Sequence, residues 1–111
     1  MNRYLTKLKM TNQWYAGLLE NPQDRFKPTA AMYEAVGGKL LQYWFGVNDS
    51  SIYLLAEMKE DSPVAALAMV LSVIGAGMAT SIEFTQVLTA EEAITSMKQA
   101  KTLTYRPPIK K

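Results

Sequence analysis

The chain has 111 residues, with 12 basic side chains against 10 acidic ones and a net charge of +2. That length holds one domain and not two, and the charge is too weak for a nucleic-acid surface, which needs a concentrated basic face. The absence of cysteine and histidine excludes disulfides, thiolate nucleophiles, Cys/His zinc sites and every imidazole-based triad or haem ligation.

Tyr4 to Met10 reads as a strand, with Tyr4, Thr6, Leu8 and Met10 on one side and Leu5, Lys7 and Lys9 on the other. Thr11 can cap a short helix to about Glu20, and Asn21-Pro22 breaks it, because the residue before proline disfavours helix. A second helical piece starts near Asp24 and keeps Pro28 in its first turn, where a missing N–H costs nothing. Phe26, Ala30, Tyr33 and Val36 form its inward stripe, and Gly37-Gly38 ends it as a left-handed cap would. Lys39 to Phe45 and Ser51 to Met58 are two strands joined across "GVNDS", whose Asn and Asp bond back to their own backbone.

Ser62 then Pro63 marks a helix start, running to about Gly75. Its large residues Val64, Leu67, Val70, Leu71 and Ile74 make the expected inward arc. The opposite arc, Ala65, Ala68, Met69, Ser72 and Val73, has no charge to face water. Ser62 to Ile82 lacks charge altogether, but Gly75-Ala76-Gly77 interrupts it and its flanks are acidic, so buried core is expected and a membrane span is not. Ser81 to Leu88 is a fourth strand. Thr89 with Glu92 has the capping-box spacing for a last helix to about Lys101. The opening "MNRYLTKLKMT" lacks the apolar core of a signal peptide, so a cytoplasmic location is expected.

The order β, broken helix, β, β, helix, β, helix predicts an α+β fold of the ferredoxin-like plan: a four-stranded antiparallel sheet with helices on one face. A single domain over residues 1–101 and an extended tail over 102–111 follow. Helices can cover only one face, and the other keeps apolar groups such as Leu55. Exposing them costs ~25 cal/mol per Å², so a homodimer or higher homo-oligomer through the open sheet face is expected, forming a dimeric α+β barrel.

"AVGGKL" after a helix, "FG" ending a strand, a Gly-x-x-Asp turn at Gly46 to Asp49, an Ala-rich helix and a closing "LTAEE" together resemble the GYD domain family, from roughly Tyr4 to Met97. The resemblance implies a dimeric α+β barrel of two ferredoxin-like sheets, in a family whose function is largely uncharacterised. Asn48 stands where the family's turn carries Tyr.

Trp14, Tyr15, Tyr43 and Tyr53 are candidates to line a pocket between sheet and first helix, with Arg25 for an anionic group; the alternative is core packing with a polar tip. Asp49 is a pocket acid or base, or a turn residue bonding its own backbone. Glu57 suits proton transfer if buried and is merely solvated at an edge. The acidic residues make no metal-ligand spacing, and no cofactor is expected. The expected function is small-molecule binding or an accessory role, against a cofactor-independent enzyme of oxygenase or isomerase type, or a pure assembly module.

Overall fold

A computed structural model describes residues 2–59 and 63–109. The expected cap at Ser62, the acidic pair before it and the lysines at 110 and 111 lie outside the described residues. The elements are β1 (Asn2–Met10), α1 (Asn12–Glu20), α2 (Phe26–Ala35), β2 (Lys39–Phe45), β3 (Ile52–Met58), α3 (Pro63–Gly75), β4 (Ala79–Val87) and α4 (Ala90–Ala100). The strands form one antiparallel sheet in the order β2-β3-β1-β4. Two β-α-β halves interleaved in this way are the ferredoxin-like α+β plan.

Local chemistry explains the boundaries. The Thr11 hydroxyl accepts from Trp14 N–H and starts α1. α2 ends in a Schellman motif: Gly38 N–H donates to the Tyr33 carbonyl and Gly37 N–H to that of Glu34, with Gly37 at φ +80°. α3 ends the same way, at the expected Gly75. There Met78 N–H reaches Val73, Gly77 N–H reaches Ile74, and Gly77 has φ +75°, a conformation that glycine adopts without a Cβ penalty.

β1 and β3 alternate as their sequence predicts. Thr6, Leu8, Ile52, Leu54, Ala56 and Met58 are buried under the helices, while Leu5, Tyr53, Leu55 and Glu57 lie on the other face. Strand β2 departs from simple alternation. Leu40 pairs with Ala56 and Gln42 with Leu55, so Leu41 is an extra, bulged residue. A bulge shifts the side-chain parity, and Leu40 therefore shares the helix side with Tyr43 and Phe45 instead of opposing them. A second irregularity at Thr80 divides β4.

Helix α3 is turned over relative to expectation. Met69 is buried and Ala65, Ala66, Val70 and Val73 are half-buried, whereas Val64, Leu67, Leu71 and Ile74 are 83%, 56%, 60% and 45% exposed. Only Val70 of the expected inward arc faces the protein. Both arcs are apolar, so hydrophobic periodicity had no polar side against which to orient the helix. The arc centred on Met69 is turned toward the sheet, and the large aliphatics are left outside.

At the far end α4 projects. Thr89 and Glu92 complete the capping box, the hydroxyl accepting from Glu92 N–H and the carboxylate from Thr89 N–H. Arg3 ties to the same carboxylate at 2.9 Å, but α4 buries none of its residues. The chain measures 60 × 34 × 24 Å with a radius of gyration of 17.9 Å, against about 13 Å for a compact domain of this length. It exposes 8348 Å², whereas a compact chain of this mass exposes about 6,100 Å².

The Arg3 contact, with help from the Thr89 cap, pulls the Glu92 carboxyl down to about 2 from an ordinary 4.5. A depressed carboxyl stabilises the fold above its unfolded pKa and stops doing so as pH falls through its folded one. We therefore expect the base of α4 to loosen between pH 4.5 and 2. Glu92→Gln, whose amide oxygen can still accept from Thr89, should flatten that part of a circular-dichroism pH titration. An unchanged titration would show that Glu92 is not the group responsible.

Candidate functional site

The helix side of the sheet holds a partly open cavity of about 800 Å³ between β1, β3, β4 and the three helices α1, α2 and α3. Close-packed interiors hold few voids larger than a water molecule, so a hollow of this size stands out. It falls within the ~300–1,000 Å³ typical of small-molecule sites. Leu8, Ile52, Leu54 and Ile82 supply its sheet wall, Met69 and Val73 the α3 wall, and Trp14, Tyr33, Tyr43 and Phe84 its aromatic surface. Met10, Met32 and Met78 also line it, and such flexible side chains can adjust to the shape of an occupant.

Apolar surface predominates, and polar side chains share the lining. Thr6 is 1% exposed and its Oγ1 has no hydrogen-bond partner, although it lines the cavity. Tyr33, 4% exposed, also faces it. Burial pushes the Tyr33 phenol up, against an opposing pull from the nearby Thr6 hydroxyl; the pair falls short of hydrogen-bond geometry. Burial likewise pushes Tyr43 up to about 12, against the opposing charge of Arg25. Both phenols are therefore protonated at neutral pH and act as donors, not bases. Gln23, Arg25 and Glu20 also contribute to the lining, and Arg25 Nη1 donates to Gln23 Oε1 at 2.9 Å. An isolated hydroxyl in an apolar wall costs stability unless something bonds to it.

The expected site residues separate into three places. Trp14, Arg25 and Tyr43 lie on the cavity wall, where Trp14 stacks on Phe45 at 6.2 Å and Phe45 meets Tyr43 at 5.6 Å. Tyr15, Asp49 and Tyr53 gather at the β2–β3 hairpin tip. Tyr15 donates to the Ser50 carbonyl and Tyr53 to Asp49 Oδ2, while Ser51 N–H donates to Asp49 Oδ1 at 3.0 Å. Glu57 is on the open face, cross-strand from Arg3.

The bonds of Asp49 are those of a turn residue. The Tyr53 hydroxyl and then the Ser51 N–H hold its carboxyl below the usual range, and the same contact raises Tyr53. Gly46 belongs to this turn, since a Cβ there would run into the Asp49 carboxylate. Gly46→Ala should cost about 1–3 kcal/mol in urea unfolding. Combined with Asp49→Ala it should cost less than the sum of the two single changes; strict additivity would rule out the clash.

Thr6, Tyr33, Met69 and Phe84 were not anticipated as site residues. The available signal was Thr6 itself, a polar residue on the strand face that helices must cover. Among the described residues no group of three or more acidic side chains could hold a metal ion, and no helix is long and apolar enough to cross a membrane. Compared with family models, curated proteins and solved structures, the chain matches none of them.

Proposed function

We propose that the protein binds a small, largely apolar molecule carrying a hydrogen-bonding oxygen in the cavity between sheet and helices. The hollow itself, with Thr6 in its wall and the buried Thr6 hydroxyl left without a partner, is the observation that carries this reading. A ligand oxygen there would satisfy Thr6 and accept from Tyr33, while its apolar body displaces poorly held water. Protonated phenols and an apolar wall recognise and orient a ligand; they favour binding over the enzyme reading, which needs a poised acid or base. The same reading includes a homodimer assembled through the open sheet face, and membership of the GYD-like barrels that the turn and cap motifs resemble.

Tryptophan fluorescence tests the cavity. Trp44 points to the open face, so Trp44→Phe leaves Trp14 as the single indole reporter on the cavity wall. Titration with 1-naphthol should change Trp14 emission saturably at one equivalent per chain, and Met69→Phe with Val73→Phe, which narrow the hollow without adding an indole, should abolish the change. Equal responses in the two proteins would remove the cavity from consideration.

A further inference from the structure

The geometry points to an arm exchange, in which α4 and residues 101–109 of one copy close over the sheet face of a second copy. This rests on the homodimer proposed above and adds which segment completes it. Three observations support a second copy as the occupant.

The first is area. The chain exposes 8348 Å², roughly 2,200 Å² beyond a compact monomer of this mass. A standard interface removes about 800 Å² per partner, and obligate dimers remove more. The excess is thus of the size that a permanent dimer buries.

The second is pattern. α4 carries Ala90, Ala93, Ile94, Met97 and Ala100 at helical spacing, with Ile94 46% and Met97 61% exposed. Beyond it Leu103, Tyr105 and Ile109 are 68%, 80% and 77% exposed. An amphipathic helix stands in water with its apolar stripe uncovered while its own sheet face, with Leu5 and Trp44 at 40% and 46% exposure, is uncovered as well. Within one chain the two surfaces do not meet.

The third is place. Arg3 lies on the open face and fixes Glu92 at the base of the arm, so the arm departs from the edge of the surface that a second sheet would meet. From there α4 reaches about 16 Å, and the extended residues after it add up to about 30 Å, enough to cross a neighbouring sheet.

The cysteine-free sequence gives a clean test. Two differently tagged copies of the full chain are co-expressed. One carries Met97→Cys, and the other carries Gln42→Cys, Leu5→Cys or Thr85→Cys, which sample three strands across the face. A bismaleimide should link the two tags in at least one pair, and Ile94→Asp beside Met97→Cys should reduce that link at least tenfold. Links confined to a single chain carrying both cysteines would mean that the arm folds back, which overturns the exchange. A dimer with no arm-to-face link, or with arms linked only to each other, overturns it while leaving the sheet-face dimer standing. A monomer at every concentration overturns both.

Discussion

Leu55→Asp should convert the protein from dimer to monomer, or to insoluble protein, in sedimentation-velocity runs. Leu55 sits in the middle of the open face, directly opposite Leu5 on the neighbouring strand, with Trp44 opposite Tyr53 one pair further along. In the isolated chain Leu55 is only half-buried, so an aspartate there can remain hydrated and the fold need not suffer. Beneath a second copy the same carboxylate would be dehydrated without a partner, at a cost of several kcal/mol. The dissociation constant should therefore rise by on the order of 100-fold or more. Leu71→Asp, which charges the exposed stripe of α3 instead, should leave a dimer. A soluble, folded dimer from Leu55→Asp would show that this face is not the interface.

Thr6→Val should stabilise the empty protein and weaken its ligand binding. Valine has nearly the shape of threonine, so packing is conserved, and the substitution removes a buried hydroxyl that has no partner. Leaving such a group unsatisfied costs about 1–3 kcal/mol. A gain of about 1 kcal/mol corresponds to a melting-temperature rise of roughly 4 °C or more in a domain of this size. The same change removes the hydrogen bond offered to a ligand, and affinity for 1-naphthol should fall about fivefold. Thr6→Ser, which keeps the hydroxyl, should bind like the parent. If Thr6→Val proves less stable than the parent, the hydroxyl is satisfied in solution and the hollow is not waiting for a polar ligand group. This opposition of stability and binding is the usual mark of a site maintained for function.

Much of the fold was legible in short-range chemistry. Strand alternation in β1 and β3, the Thr11 cap, the glycine stop after α2 and the Thr89–Glu92 box each rest on contacts within a few residues, and the two interleaved halves follow from the order of elements. Where only long-range packing decides, the sequence was mute. The Leu41 bulge reassigns the faces of β2 without any glycine or proline to announce it. The uncharged α3 presents two apolar arcs, and which one meets the sheet depends on how closely the backbones approach. The cavity illustrates the same limit. Trp14, Arg25 and Tyr43 could be nominated because aromatics and a cation cluster near α1 and α2, whereas Tyr33, Met69 and Phe84 come together only through the tertiary fold. The protruding α4 was equally hidden, because its capping and amphipathic pattern suit a helix packed on its own domain as well as one that leaves it.

Native mass spectrometry of the purified full chain, sprayed at several concentrations, bears on ligand and assembly together. We expect a dimer carrying a small-molecule mass increment on each subunit, released on collisional heating and diminished in Thr6→Val. A monomer without increment at every concentration would contradict both the filled cavity and the paired sheets.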